Sequence, residues 1–254
     1  MLAGFERSTF SHEGKARTVF SAGEGPGVIV IHEIPGITPE VVRFERWVVD
    51  AGFRVALPSL FDVPGKPKST GYILGSFARA CIIREFRCLA ANRTSPVTDW
   101  LRALCRDVHA AQGGPGVGAV GMCLTGNFAL SLMMEPAMMA PVLAQPSLPL
   151  PLGRARKKAL HLSTEQLASA KARDVPILGM RFDTDPACPP ARFDRLRAEF
   201  GTRSEAIEIP AHHAATSTRQ SVLTNDLVDE AGHATIAARD RVLSFLTDRL
   251  RPSD

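Results

Sequence analysis

The chain has 254 residues, of which 45% are hydrophobic and 22% charged, with a mean hydropathy of +0.01. These values exclude a disordered tail, a collagen-like repeat and a coiled coil. A net charge of +4 keeps a chain soluble but specifies no polyanionic partner. The densest basic run, Arg154, Arg156, Lys157 and Lys158, has no interleaved aromatics and reads as a solvated loop, so nucleic acid is not an expected partner.

The length suits one α/β domain with insertions, so a single domain over residues 1–254 is expected. Cys81, Cys88, Cys105, Cys123 and Cys188 are odd in number and show no C-x-x-C spacing, which fits a reducing compartment. Met1 to Arg7 carries Glu6 and Arg7 rather than an apolar signal region, and no run of about 18 apolar residues occurs. A cytoplasmic protein with no membrane partner is the expectation.

Along the chain, Phe5–Ser11 and Arg17–Ala22 read as a hairpin around Glu13-Gly14. Gly27–His32 is a β-branched run of the kind that forms a buried parallel strand. Thr38-Pro39-Glu40 opens a helix with a capping hydroxyl, a first-turn proline and an acid at the positive dipole end. Gly52 stops it, and Phe53–Leu57 is the next strand, completing a parallel crossover unit. Residues 58–94 read as an insertion with a helix near Ser76–Ala90. A helix from Ser95-Pro96 through Val108, a strand at Gly118–Gly121, a helix from Leu124 to Met134 and a strand at Met139–Leu143 follow. A second Pro-rich insertion, 145–174, carries a helix capped at Ser163 or Thr164. The strand Val175–Phe182, the helix Ala191–Phe200, the strand Ala206–Ile209 and the helix Ile236–Leu250 close the series. Repeated βα units imply a doubly wound, mostly parallel sheet with its site at the carboxyl ends of the strands.

One local pattern carries chemistry. Gly121-Met122-Cys123-Leu124-Thr125-Gly126 falls where a strand ends and a helix begins. In a nucleophile elbow, that tight turn holds the reactive side chain, and the next residue's N–H faces an oxyanion hole. The helix N-terminus also favours a thiolate. The pattern departs from G-x-[SC]-x-G because Thr125 stands in the final glycine position; the plain alternative is a small buried cysteine in a core turn.

With His32-Glu33-Ile34-Pro35-Gly36, Asp185 followed by Pro189, and Gly232-His233 before the last helix, the elbow resembles the cysteine-dependent dienelactone hydrolases of the α/β-hydrolase superfamily. The likeness runs from about residue 27 to 250 and implies the α/β-hydrolase fold. By that resemblance Cys123 is the nucleophile, His233 its base and Asp185 the carboxylate that orients the imidazole. Glu33 matches an additional acid against the thiol, and the backbone N–H groups of Ile34 and Leu124 are the oxyanion donors. Nucleophile, acid, histidine is the chain order this fold uses, and histidine is the base suited to neutral pH.

Two positions have alternatives. Asp183 also follows the strand ending near Phe182, and the D-x-x-x-P match favours Asp185. His212-His213 also follow the last strand, and the place of His233 directly before the closing helix favours His233. Metal and phosphate chemistry find no signature: H-E-x-x-H fails after His32-Glu33, and neither G-x-G-x-x-G nor G-K-[ST] follows a strand. No cofactor is expected.

The reading is hydrolysis of a small-molecule carboxylic ester or lactone through a thioester, with Arg79, Arg84 or Arg239 as candidates to bind a substrate carboxylate, Arg84 foremost. The alternative is a binding or regulatory module with a redox-sensitive Cys123. Oligomeric state is not legible in the sequence.

Overall fold

A computed structural model describes residues 2–60 and 96–251, together with Ser69, Gly71 and Gly75. Most of the first insertion, its expected helix, Cys81, Cys88, Arg79 and Arg84 lie outside the described residues.

The strands are β1 Glu6–His12, β2 Lys15–Ala22, β3 Gly27–Ile31, β4 Arg54–Pro58, β5 Val117–Met122, β6 Met138–Ala144, β7 Ile177–Phe182 and β8 Ser204–Ile209. They form one sheet in the order β1-β2-β4-β3-β5-β6-β7-β8. The hairpin pairs β1 with β2 and joins the sheet antiparallel to β4; all pairings from β4 to β8 are parallel. Glu13 and Gly14, both at positive φ, make the two-residue turn that the Glu-Gly pair announces.

The described helices are α1 Pro39–Asp50, α2 Pro96–Gln112, α3 Gly126–Ser131, α4 Arg154–Lys157, α5 Thr164–Ala172, α6 Pro190–Phe200 and α7 Ala234–Leu250. Thr38 caps α1, its hydroxyl accepting from Val41 N–H, and Ser163 caps α5 by accepting from Gln166 N–H. The second insertion therefore contains α4 as well as the expected helix. The helix expected over 124–134 is broken: Cys123–Thr125 and Leu132–Met134 are 3₁₀ turns flanking the short α3.

Alternation along β3 sends Val28 and Val30 to one face of the sheet, with Val41, Phe44 and Val48 of α1 and Val242, Phe245 and Leu246 of α7. Ile29 and Ile31 go to the other, with Trp100, Leu101 and Leu104 of α2, Phe128 of α3 and Leu196 of α6. Each such side chain, fully buried, stabilises the fold by roughly 1.5–3 kcal/mol. Met133 and Met138 are buried in the second cluster, with Met134 and Met139 packed against it, where flexible thioethers fill the space between helix and strand. With both faces covered, the carboxyl ends of β3, β5, β6 and β7 open onto one edge, where the polar residues of the candidate site gather.

Candidate active site

At the end of β5 the chain turns sharply. Met122 is extended, Cys123 has φ +52°, and Leu124 and Thr125 complete one 3₁₀ turn before α3. A non-glycine residue in the left-handed region costs about 1–3 kcal/mol and is sustained by its surroundings. Two glycines let the turn close. A Cβ on Gly121 would sit 2.5 Å from the Thr125 carbonyl oxygen, and one on Gly126 would sit 2.6 Å from Pro146 Cα. Thr125 fits because its hydroxyl is used: Oγ1 lies 2.8 Å from the Ile31 carbonyl, 3.1 Å from that of His32 and 2.9 Å from that of Met122, and accepts from Met122 N–H. The close-approach glycine has moved one residue along, to Gly126.

The Cys123 sulfur is surrounded by polar groups. Ser147 Oγ lies 3.4 Å from it and Gln220 Nε2 donates to it at 3.6 Å, while the Leu124 N–H also bonds it. The residue keeps some surface, but protein packs around the sulfur. That burial pushes the thiol up to about 12; the Glu33 and Asp185 carboxylates push the same way, against the Ser147 and Leu124 hydrogen bonds. The resting thiol is therefore protonated at neutral pH.

Glu33, two residues past the end of β3, is 3% exposed. It accepts from Ser221 Oγ at 2.9 Å, from Gln145 Nε2 at 3.4 Å and from Thr224 Oγ1. Its neighbour His32 closes the sheet edge, its Nε2 accepting from Leu60 N–H at 3.2 Å.

Asp185 and Asp183 part company. Asp183 is exposed, and its Oδ1 accepts from Ala211 N–H at 3.0 Å, fastening the segment after β8. Asp185 is 2% exposed; its Oδ1 accepts from Ala187 N–H at 2.8 Å and Cys188 N–H at 3.2 Å, an Asx turn, while its Oδ2 is buried and has no partner among the described residues. Burial pushes its carboxyl up to about 6, against the lowering effect of those two N–H bonds and of Arg181 and Arg192. Both arginines are 1% exposed. Arg181 braces this loop through the carbonyls of Cys188 and Asp183 and pairs with Glu208 at 2.6 Å. Arg192 gathers the carbonyls of Pro146, Pro149, Arg156 and Ala159, which sets the Gln145–Ser147 segment against the elbow.

The histidines form their own group. His213 Nδ1 lies 3.4 Å from His233 Nε2, and the His212 and His213 rings are 4.2 Å apart between centroids. His233 is the N-cap of α7, its Nδ1 accepting from Thr235 N–H at 3.3 Å and lying 2.8 Å from Thr235 Oγ1. Desolvation, with the adjacent His212 and His233, holds His213 below the usual imidazole range. Among the described residues no imidazole bonds the Cys123 sulfur or the Asp185 carboxylate. The structure thus brings Cys123, Leu124, Glu33 and Asp185 together and sets the ring of His233 against that of His213. Ile34 follows Glu33, half-buried, and among the described residues no acceptor takes its N–H. Arg239 stacks over Trp47, 4.5 Å from the ring centroid, and pairs with Asp240. Arg84 lies outside the described residues.

Sequence reasoning missed Gln145, Ser147, Gln220, Ser221 and Thr224. Gln145-Pro146-Ser147 directly follows β6, so the rule that flags polar residues past the carboxyl ends of parallel strands could have found the first two. Among the described residues no group of three or more His, Cys, Asp and Glu side chains is placed to hold a metal ion, and no helix is long and apolar enough to cross a membrane.

Solved structures sharing the fold include a provisionally assigned dienelactone hydrolase from Klebsiella pneumoniae (TM-score 0.64, 14% identity, covering 94% of this chain and 98% of that one). Another is the dienelactone hydrolase of Anabaena variabilis (0.62, 13%, 97% and 98%). A third is P91, a dienelactone hydrolase-like promiscuous phosphotriesterase from metagenomic libraries (0.61, 13%, 97% and 98%). No curated protein matches significantly in sequence. The model of the dienelactone hydrolase family matches residues 15–249. With the elbow, the strand order and that match, the chain belongs to the dienelactone hydrolase family, hydrolases built on the α/β-hydrolase fold.

Proposed function

We propose that the protein hydrolyses a small-molecule carboxylic ester or lactone through a thioester on Cys123. The observation that carries this reading is the Cys123 sulfur at the tip of a left-handed bend, with the Leu124 N–H upon it and the Asp185 Oδ2, without a partner among the described residues, buried in the same site. The thiol loses its proton to an imidazole, sulfur bonds to the carbonyl carbon, and the new oxyanion is held by the N–H groups of Leu124 and Ile34. The leaving alkoxide takes the proton, and water then adds to the thioester and releases the acid.

The imidazole comes from the His213–His233 pair. Ala211 N–H on Asp183 Oδ1 ties the His212–His213 turn to the loop that carries Asp185, and Asp185 Oδ2 is an acceptor suited to an imidazole N–H. The two rings must separate for one to reach Asp185 and Cys123; His233→Ala and His213→Ala, tested separately, tell which ring does so. Arg84 is retained as the candidate partner of a substrate carboxylate, and the cytoplasm as the compartment.

The test is turnover of a small activated ester by Cys123→Ala and Cys123→Ser. Loss of activity in the alanine variant is expected, and undiminished turnover would reject the mechanism. One observation favours the rival reading as a binding module, namely that no imidazole bonds the sulfur among the described residues.

A further inference from the structure

Two side chains outside the motifs that carry the family resemblance touch the Cys123 sulfur, and they arrive from different directions. Ser147 is 3% exposed on the segment after β6; its N–H donates to the Cys123 carbonyl at 2.9 Å, and its Oγ stands 3.4 Å from the sulfur. Gln220 reaches the sulfur from the long segment between β8 and α7. That segment is organised around Asp226, which is fully buried. The Asp226 carboxylate accepts the N–H groups of Thr216 at 3.1 Å, Gln220 at 2.8 Å and Ser221 at 2.9 Å, with the hydroxyls of Thr216 and Thr218. The same segment delivers the Ser221 and Thr224 hydroxyls to Glu33.

We propose that Ser147 Oγ–H and Gln220 Nε2–H form, with the Leu124 N–H, a donor cradle that carries negative charge on the Cys123 sulfur, and that Asp226 is the positioning residue that sets Gln220 in it. The inference rests on the reading of Cys123 as nucleophile. Charge appears on sulfur twice in that reaction. Before attack the proton passes to imidazole and leaves the electron pair on sulfur. After water has added to the thioester, the C–S bond breaks, the pair returns to sulfur, and the imidazolium restores the proton. At both moments burial and the nearby Glu33 and Asp185 carboxylates oppose the charge, while the Ser147 and Leu124 hydrogen bonds favour it and Gln220 Nε2 donates to the same sulfur at 3.6 Å. Hydrogen bonds to an ionised acceptor are roughly twice as strong as neutral ones, so the cradle gains strength as the charge develops.

The test is the rate at which iodoacetamide alkylates Cys123 in the full-length protein from pH 7 to 10, followed by mass spectrometry of the peptide that carries it. Ser147→Ala and Gln220→Leu should each slow alkylation at a fixed pH by about 10-fold; Ser147→Ala removes an atom beside the sulfur, so a change in access alone would speed the reaction instead. Ser147→Thr should restore the rate. Asp226→Asn should match Gln220→Leu, and the double variant should be no slower than either single one, since both remove the same donor. The other four cysteines control for unfolding, which would speed their modification. Unchanged or faster alkylation of Cys123, or multiplying effects in the double variant, would overturn the proposal. The readout is separate from ester turnover: a cradle effect in a protein that turns over no ester removes the hydrolase reading and keeps the cradle, and intact turnover with unmoved alkylation does the reverse.

Discussion

Thr125 Oγ1 lies 2.8 Å from the carbonyl oxygen of Ile31, so the turn that presents Cys123 is tied to the end of β3 by a side chain standing where the family pattern has glycine. Thr125→Val keeps the shape and removes the hydroxyl. It should destabilise the protein by about 1–3 kcal/mol, the cost of leaving buried carbonyls without a donor, whereas Thr125→Ser should lie close to wild type. Urea denaturation of the two variants measures the difference, and equal stability would show that the hydroxyl does not secure the turn.

The two glycines of the elbow should tolerate even less. A methyl group on Gly121 or Gly126 meets backbone or proline ring atoms rather than a flexible side chain. Gly121→Ala and Gly126→Ala should each lower the melting temperature by several degrees and displace Cys123. Thermal unfolding checks this, and wild-type melting in both variants would show that the turn has more room than its geometry allows.

Asp185 predicts a pH dependence. Its carboxyl is held up at about 6 in the folded protein, against an ordinary value of 3.8. A raised acid favours the folded state while protonated, so this contribution is fully present below about 4 and is lost as pH rises through about 6. Asp185→Asn should flatten the stability profile between those values. If ionised Asp185 orients the imidazole, kcat/KM should instead climb through the same window in the wild type, and the climb should vanish in the variant. Wild-type stability that rises through this window relative to Asp185→Asn would contradict the assignment.

Glu45 of α1 is fully buried, neither of its carboxylate oxygens has a partner among the described residues, and burial holds its carboxyl well above the usual range. Glu45→Met should raise stability near neutral pH by about 1–3 kcal/mol, the cost of keeping an unpaired polar group in an apolar setting. The gain should shrink toward acid pH, where protonated Glu45 costs least. A destabilised variant at pH 8 would show that the carboxyl has a use that the packing of α1 does not reveal.

Much of the fold was legible because its signals are local. The β-branched run of β3, the Thr38-Pro39 start of α1 and the Glu13-Gly14 turn each follow from a few adjacent residues, and they came out within a residue or two. Cys123 was legible for the same reason, as the centre of a strand-to-helix turn flanked by small residues. Ser147 and Gln220 were not, because they meet the sulfur only after Arg192 has drawn in the segment behind β6 and Asp226 has folded the one behind β8. No spacing in the sequence records those contacts. The histidine was the hardest choice: a place before the last helix describes His233 correctly as its N-cap, and nothing local says that its ring leans on His213.

The most direct test of the central claim is to quench the protein in acid during turnover of an activated ester and map any acyl group by peptide mass spectrometry. An acyl adduct on the peptide bearing Cys123, formed and discharged at rates matching turnover and absent in Cys123→Ala, is the predicted result. Turnover with no adduct on that peptide, or with the acyl group on another residue, would contradict it.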